Sequence, residues 1–303
     1  MTKITPFLWF DTQADEAANF YTGLFNASNV KSVSHYTDEG LEIHGMPANS
    51  VLTVNFQLAG QPFTALNGGP HFSFNPSISF FVICETEQEG DNLWSKLSEG
   101  GEILFPLKKY DWSEKYGWLN DRYGVSWQIS LGRIEDVGQK ITPSLLFVNE
   151  MLGKGEEAIR HYTSVFSPSV IDGILKYGPG EEGTAGTVKH AQFALSGSKF
   201  MVMDGPGKHD FGFSEAVSFV VHCKSADEVD YYWEKLGEAG DPQAQQCGWL
   251  KDKFGVSWQV VPTELFEMLD DEDPEKVKRV TKVMLQMKKL DLVKLREVYH
   301  YQS

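Results

Sequence analysis

The segment GWLNDRYGVSWQI at residues 117–129 returns as GWLKDKFGVSWQV at residues 248–260, with both tryptophans and the glutamine kept. Repeats of this length indicate duplicated domains, because solenoid repeats are much shorter. The matches predict a first domain over 1–137, a second over 138–262, and a tail over 263–303. Three further segments recur in the same order: KITPFLWF (3–10) as KITPSLLF (140–147), FYTGLF (20–25) as HYTSVF (161–166), and SFFVIC (79–84) as SFVVHC (218–223).

Each copy has the pattern of two successive β-α-β-β-β units. In the first copy, residues 4–10 form an apolar run typical of a buried strand, and residues 51–58 alternate like a half-buried strand. The order restarts at residues 78–84, and the glycine pair at 100–101 ends the helix that follows. The pattern therefore predicts an α+β fold with four such units along the chain.

Composition and charge exclude several classes of protein. The formal net charge of −15 over 303 residues argues against binding to nucleic acid or to an anionic membrane surface. We find no apolar run long enough to span a bilayer and expect no signal peptide in the start MTKITPFLWFD. The cysteines, Cys84, Cys223 and Cys247, are odd in number and widely spaced, so we expect reduced thiols and a cytoplasmic protein.

The tail predicts two helices. Asp273 followed by Pro274 is typical of an N-cap and a first-turn proline. An apolar stripe at helical spacing follows, and a second short helix is expected over residues 290–299. A stripe of this kind favours docking on a sheet or at the domain interface, with binding to a partner as the alternative.

The repeated motifs resemble the vicinal oxygen chelate superfamily, which includes glyoxalases, bleomycin-resistance proteins and dioxygenases. More narrowly, the chain is similar to the PhnB-like family, often labelled demethylubiquinone methyltransferase. The resemblance implies tandem glyoxalase-like domains, each with two βαβββ modules paired into a cup that holds a ligand. The methyltransferase label is disfavoured, because the glycine-rich segment 178–186 is expected to be a hairpin loop rather than a nucleotide-binding turn.

The resemblance also indicates where a chelating member would hold its metal. Matching the final strand of each copy places Gln128 and Gln259 at the position of a metal-binding glutamate. Amide oxygens are poorer ligands for divalent cations than carboxylates or imidazoles. The other matched positions carry no His, Asp, Glu or Cys set, so we expect no metal and no cofactor; they fall near Thr5, Thr64, Ser77, Thr142, Phe200, Met201 and Ala216.

The candidate ligand-binding residues follow from these positions and from strand alternation. Trp9 shares a strand face with Thr5 and Phe7, the expected cup side, whereas Trp127 and Trp258 are expected in the core. The loop histidines His71 and His209 are either acid/base groups on the rim of the cup or solvated loop residues. The full candidate set is Thr5, Phe7, Trp9, Thr64, Asn67, His71, Ser77, Gln128, Thr142, Asp204, His209 and Gln259.

Three functions are consistent with this sequence. The first is a metal-free protein that binds a small, partly apolar organic molecule in one or both cups. It either sequesters this molecule or acts on it by proton transfer. The second is a metal-dependent lyase or dioxygenase, and the third is a structural or regulatory protein whose cups are filled by side chains. A cavity lined by Trp9, Thr64 and Gln128 would favour the first. Because a duplicated chain can pair its domains internally, we expect a monomer or a weak homodimer.

Overall fold

A computed structural model describes residues 2–301 and shows four βαβββ units followed by a helical tail. Residue 1, the first of the predicted first domain, and residues 302 and 303, the last of the predicted tail, lie outside that range. The first repeat contains β1 (Ile4–Phe10), α1 (Ala14–Thr22), β2 (Asn29–His35), α2 (Leu41–His44), β3 (Val51–Leu58), β4 (Gln61–Asn67), β5 (Ile78–Cys84), α3 (Glu87–Leu97), β6 (Glu102–Tyr110), β7 (Ser113–Asn120), β8 (Ser126–Leu131) and α4 (Ile134–Val137).

The second repeat and the tail complete the chain. The second repeat contains β9 (Ile141–Phe147), a 3₁₀ turn (Asn149–Met151), α5 (Gly155–Val165), β10 (Ser169–Lys176), β11 (Val188–Leu195), β12 (Ser198–Asp204), β13 (Val217–Cys223), α6 (Ala226–Gly237), β14 (Asp241–Gln246), β15 (Trp249–Lys251) and β16 (Ser257–Pro262). The tail contains α7 (Thr263–Leu269), α8 (Pro274–Met284) and α9 (Leu292–His300).

Helix starts follow local capping chemistry. Thr86 and Ser225 lie at the same place in the two repeats, and each side chain accepts a hydrogen bond from a backbone N–H in the first turn of its helix. Asp273 does the same for α8, with Pro274 in the first turn. The predicted cap at Asp273 is therefore confirmed, but the tail has three helices rather than the two predicted, because α7 precedes α8.

Each of the two eight-stranded sheets combines units from both repeats. Sheet A has the order β14-β15-β16-β13-β1-β4-β3-β2, and sheet B has the order β10-β11-β12-β9-β5-β8-β7-β6. In sheet A, β1 pairs antiparallel with β13, so that Phe7 lies opposite Ser218. In sheet B, β5 pairs antiparallel with β9, so that Phe81 lies opposite Thr142.

The α+β fold of tandem βαβββ units is confirmed, but the pairing of the units differs from the expected one. The two units of one repeat do not share a sheet, because each pairs with a unit of the other repeat. The first strand of every unit has an edge whose backbone groups need partners. In a duplicated chain the other repeat supplies those partners, so the repeats are joined through two continuous sheets.

The sheets pack against each other through one shared core. Phe63 of sheet A contacts Phe80 of sheet B, with ring centroids 5.4 Å apart, and Phe200 of sheet B contacts Phe219 of sheet A at 5.2 Å. Alternate residues of the strands point to the opposite side. We call the sides that point away from this core face A and face B, after their sheets; they are the counterparts of the two predicted cups.

The repeated segment holds the units of one repeat together through a buried aspartate. The Asp121 carboxylate accepts hydrogen bonds from the Tyr21 hydroxyl at 2.7 Å and from Trp127 Nε1 at 2.8 Å. The backbone N–H groups of Tyr123 and Val125 donate to its other oxygen. Tyr21 lies on α1 in sheet A's unit and Trp127 on β8 of sheet B, so this cluster fixes one unit against the other.

The second repeat has the same cluster around Asp252. Tyr162 donates to its carboxylate at 2.7 Å and Trp258 Nε1 donates at 2.9 Å. Burial raises the pKa of Asp252 to about 6, and the four hydrogen bonds act in the opposite direction. Gly255 turns the backbone between carboxylate and tryptophan at φ +89°, a conformation that favours glycine. The recurrence of the opening segment is therefore a packing requirement.

Candidate functional site

Face B has an ordered polar centre. Gln128 on β8 donates from Nε2 to the Ser79 hydroxyl at 2.7 Å and accepts at Oε1 from the Tyr116 hydroxyl at 2.7 Å. All three side chains are buried, and burial raises the pKa of the Tyr116 phenol. The two bonds fix the orientation of the amide, so Gln128 presents a defined donor and acceptor edge.

A second polar group on face B has no partner. Thr142 lies opposite Phe81, which in turn lies opposite Gln128, so the threonine and the glutamine flank one ring on the same face. Thr142 is completely buried, and its hydroxyl makes no hydrogen bond within residues 2–301. Leaving such a group unpaired costs about 1–3 kcal/mol. The hydroxyl is therefore an unused donor and acceptor in the packed centre of face B, and a ligand atom reaches it only where neighbouring side chains move aside.

Aromatic side chains surround this polar centre. The hairpin of β6 and β7, which contains the segment FPLKKYDWSEKYG, carries them. Phe105 stacks on Trp118 with centroids 6.0 Å apart, and Tyr110 stacks on Trp112 at 4.9 Å. Trp112 is 67% exposed and Phe105 is 43% exposed. The hairpin therefore gives face B a rim of flat, partly exposed aromatic surface.

Face A keeps the glutamine but surrounds it differently. Gln259 donates from Nε2 to Ser218 at 3.0 Å, as Gln128 does to Ser79. Cys247 stands at the position that Tyr116 occupies in the first repeat. Thr5 Oγ1 lies 2.9 Å from His222 Nε2, and burial lowers the pKa of that histidine to about 4. His222 is therefore neutral near pH 7.

The tail covers face A. Leu295 on α9 and Val280 on α8 are completely buried, and they share one apolar cluster with Phe7 of β1. The expectation that the tail docks on a sheet is therefore confirmed. The other buried members of the cluster are Val220, Val261, Leu265, Met268, Leu290 and Leu292.

The aromatic candidate Trp9 lies at the margin of this covered face. Its ring lies 5.0 Å from Phe72, 5.8 Å from Trp249 and 6.4 Å from His71, all nearly perpendicular. Its Nε1 donates to the carbonyl of Gly69 at 2.8 Å. Trp9 thus joins an aromatic cluster on face A, whereas Trp127 and Trp258 lie in the shared core as expected.

The structure divides the predicted ligand-binding residues between the two faces. Thr5, Phe7, Trp9, Thr64 and Gln259 lie on face A, whereas Gln128 and Thr142 lie on face B. Trp9, Thr64 and Gln128 therefore do not meet in one cavity. The cause is the exchange of partners between repeats, which the order of segments along the chain does not reveal.

Two predicted residues point into the core side instead. Asn67 lies opposite Phe10, and its amide oxygen accepts from the N–H of Ala14 at 2.7 Å. Asp204 accepts from the N–H groups of Gly153 and Val188, at 2.8 Å and 2.7 Å. The matching positions of Asn67 and Asp204 thus reflect a shared role in fixing the backbone near α1 and α5.

The remaining predicted residues lie outside the strands. His71 is exposed, and His209 is half-buried with its Nε2 3.0 Å from the carbonyl of Pro206. Ser77 precedes β5, and its carbonyl accepts from the N–H of Leu146. The serine that contacts Gln128 is Ser79, two residues further on and on the same strand face. Sequence reasoning missed Ser79 and Tyr116, because they lie on β5 and β7 and only the pairing of these strands with β8 brings them to Gln128.

The polar groups of the two faces do not fit a divalent cation. Hydroxyl, amide and apolar side chains occupy the positions where the fold family's metal ligands would lie, and such cations prefer carboxylates or imidazoles. Within the described part of the chain, no three His, Cys, Asp or Glu side chains are grouped so as to hold a metal ion. We therefore derive no chemical step through a metal.

One open groove lies away from both faces. It has a volume of about 1010 Å³ and runs between the end of α1, helix α3 and the connection between the repeats. Lys140 and Glu89 form an ion pair within it, and Gln61 exchanges two hydrogen bonds with the backbone of Ile141. These polar groups already have partners, so the groove is a weaker candidate site than face B.

The fold can be compared with the folds of solved structures. The structure is similar to glyoxalase I from Zea mays, with a TM-score of 0.51 at 12% identity over 88% of this chain and 94% of that chain. At this identity the likeness concerns the fold alone. Together with the βαβββ units, it shows that the chain has a glyoxalase-like fold.

The family follows from sequence. The family model described as 3-demethylubiquinone-9 3-methyltransferase matches residues 2–130 and again residues 139–261, and the chain belongs to this family. A PhnB protein from Bacillus cereus is 45% identical over 43% of this chain and 99% of that chain, with a TM-score of 0.40. A protein from Staphylococcus aureus is 31% identical over 44% of this chain and 98% of that chain, with a TM-score of 0.19. No curated protein matches the chain.

Two further expectations can be compared with the structure. Cys84 and Cys223 are completely buried, and burial raises the pKa of each thiol to about 12, as expected for structural rather than reactive cysteines. None of the helices within residues 2–301 is long and apolar enough to cross a membrane.

Proposed function

We propose that this chain is a metal-independent member of its family that binds a small, planar, mostly apolar organic molecule on face B. The observation that carries the proposal is the unpaired Thr142 hydroxyl beside the fixed Gln128 amide, beneath an aromatic hairpin. Aromatic rings favour flat apolar partners, and a few placed polar groups fix their orientation.

Face B is favoured over face A because of what covers each of them. The tail buries the apolar side chains of face A, whereas face B has the exposed Trp112 and the half-buried Phe81. Of the two expected cups, the one on face A is thus filled by side chains of the tail. Binding is therefore proposed for face B. Face A has a structural role while the tail covers it.

The proposed activity is binding rather than proton transfer. Gln128, Ser79 and Thr142 do not titrate near neutral pH, and burial moves the pKa of Tyr116 further above its ordinary value. A general base works best with a pKa near the pH at which it acts. The centre of face B therefore supplies hydrogen bonds to a ligand.

The methyltransferase name of the family is not part of the proposal. The glycine-rich segment 178–186 lies between the antiparallel strands β10 and β11, and so does not lead from a strand into a helix. A nucleotide-type donor is usually held where a strand turns into a helix N-terminus. We further propose domain boundaries at 137 and 262, a cytoplasmic location, and a monomeric or weakly dimeric state; the internal pairing of repeats and the three free cysteines support these proposals.

The test uses 2-naphthol and naphthalene as probes, followed by calorimetry. Both offer the same flat surface, but only naphthol carries a hydrogen-bonding group. Wild-type protein should favour naphthol about fivefold, since one hydrogen bond contributes about 1 kcal/mol. In Thr142→Val that preference should disappear while naphthalene still binds. Equal affinities for both probes in wild-type protein would refute the proposal.

Metal dependence is tested separately on the same preparations. Plasma mass spectrometry of protein purified without nickel resin should give far less than one equivalent of any transition metal per chain. Soaking in zinc, manganese, iron or nickel should leave naphthol affinity unchanged. A stoichiometric metal whose removal abolishes binding would instead favour the metal-dependent alternative.

A further inference from the structure

The tail fills face A, whereas face B is covered in part by its own β6–β7 hairpin and by the short helix α4, through Val137. Leu290 and Leu292 lie in the apolar cluster of the tail with Val220 of β13, each no more than 3% exposed. In the first repeat the long β6–β7 hairpin extends the edge of sheet B and packs aromatic side chains on face B, whereas β14 and β15 are short and the α8–α9 pair packs on face A. Face A is thus closed by a separate segment at the end of the chain.

Beneath this apolar cover lie polar groups without partners. Ser257 Oγ and His222 Nδ1 are buried and make no hydrogen bond within residues 2–301. On face B the matching serine, Ser126, accepts from Trp118 Nε1 at 2.8 Å. On face A the matching Trp249 ring packs against Phe7 at 5.6 Å instead. A cover with a purely structural role would be better matched by an apolar floor, because each unpaired group costs about 1–3 kcal/mol.

The α8–α9 pair is attached in a way that allows release. Its polar links to the rest of the chain include backbone bonds from Cys247 N to Met287 O and from Gly248 N to Lys288 O, each 2.7 Å long. They also include partly exposed ion pairs, such as that between Lys278 and Glu39 at 3.3 Å. Ion pairs of this kind contribute about 0–1 kcal/mol. Apolar burial therefore supplies most of the attachment, and release leaves both sheets intact.

We propose that the α8–α9 pair is a displaceable occupant of face A, and that its release opens a second site for an aliphatic molecule with one uncharged hydrogen-bonding group. The fully buried side chains of the pair, Val280, Leu292 and Leu295, are aliphatic, so the competing ligand must offer aliphatic surface. The floor groups Ser218, Ser257 and Gln259 are uncharged, so a buried charge on the ligand would have no opposite charge there. The proposal concerns face A only and stands independently of binding on face B.

The first test measures hydrogen exchange in the full-length chain with 1-octanol as the probe. A ligand that binds only the released form raises the population of that form by mass action. Octanol at about ten times its dissociation constant for the released form should therefore speed exchange in α8 and α9 about tenfold, while β1 and β13 stay protected. Octanoate, which carries a charge, should have a much smaller effect.

A disulfide lock provides the matched control. Cys247 Sγ lies 3.6 Å from the carbonyl oxygen of Met284, so Met284→Cys brings a second thiol within reach of Cys247. The reduced form of this variant should respond to octanol at least as strongly as the wild type, because Met284 packs against the tail cluster, and the oxidised form should not respond. An octanol effect of equal size in both forms, or none in the wild type, would overturn the proposal.

A second variant keeps the test decisive if the lock does not form. Val280→Ala removes two methyl groups from the tail cluster on a helix that alanine favours. It should speed exchange of α8 and α9 and strengthen octanol binding by the same factor, because both depend on one opening equilibrium. Val229→Ala, in the shared core on α6, is the control and should change neither. Faster exchange with unchanged octanol affinity would show a merely structural tail and refute the proposal.

Discussion

The duplicated aspartate clusters make a quantitative prediction about Tyr162→Phe. The hydroxyl of Tyr162 donates to the buried Asp252 carboxylate at 2.7 Å, and Trp258 donates to the same oxygen. A hydrogen bond to a charged group contributes about 1.5–3 kcal/mol, and one between neutral groups about 0.5–1.5 kcal/mol. At pH 7.5 the carboxyl is ionised, so the variant should lose about 2 kcal/mol of unfolding free energy.

The same prediction has a defined dependence on pH. Burial raises the folded-state pKa of Asp252 to about 6, above its ordinary value of 3.8. Between these values the folded chain binds a proton more readily than the unfolded chain, so this group's stabilising contribution is present below pH 4 and is lost as pH rises through 6. At pH 4.5 the carboxyl is protonated in the folded state, and the loss in Tyr162→Phe should shrink by about 1 kcal/mol.

Urea unfolding followed by tryptophan fluorescence at both pH values is the assay. Tyr231→Phe is the control, because the Tyr231 hydroxyl donates to the uncharged carbonyl of Val165 at 3.0 Å. Its loss should be the same at pH 7.5 and pH 4.5. Tyr21→Phe should also lower the free energy of unfolding, because the Tyr21 hydroxyl donates to the buried Asp121. If the losses of Tyr162→Phe and Tyr231→Phe change with pH in the same way, the reasoning about the buried carboxylate is refuted.

Three further predictions concern the faces and the assembly. Thr142→Val removes an unpaired buried hydroxyl and should raise the melting temperature, whereas Thr5→Val breaks the contact with His222 and should lower it; calorimetry in which both variants lose stability would contradict this. Leu295→Ala should cost about 2–5 kcal/mol in urea unfolding, since it leaves a cavity between α9 and face A, and a loss below 1 kcal/mol would show that the tail is loosely packed. Light scattering should give the mass of one chain at micromolar concentration. A stable dimer would show that the pairing of repeats within one chain does not prevent association of two chains.

The elements of the fold could be predicted from the repeats. Strand alternation around Trp127 and Gln128 separates a core residue from a face residue, and the structure confirms this division. Asp273 with Pro274 marks a helix start through local chemistry alone. Such features depend on neighbours within a few residues, so a single sequence contains the information for them.

The candidate site was less accessible to the same reasoning. Asn67 and Asp204 stand at matching places and have the residue types of a polar rim, yet they bind backbone N–H groups on the core side. Strand register decides this, because a shift of one residue exchanges the two faces. Ser79 and Tyr116 were missed because the amide that each contacts lies on another strand.

The sequence by itself determined the duplication, the four βαβββ units, the neutral residues at the family's metal positions, and the helical tail. These properties follow from residue identity and local periodicity. Only the tertiary structure decided that Gln128 shares a sheet with Thr142 of the other repeat, and that the tail covers face A. Equivalent edges of duplicated units have nearly equal pairing chemistry, so their choice of partner depends on how the whole chain closes around one core.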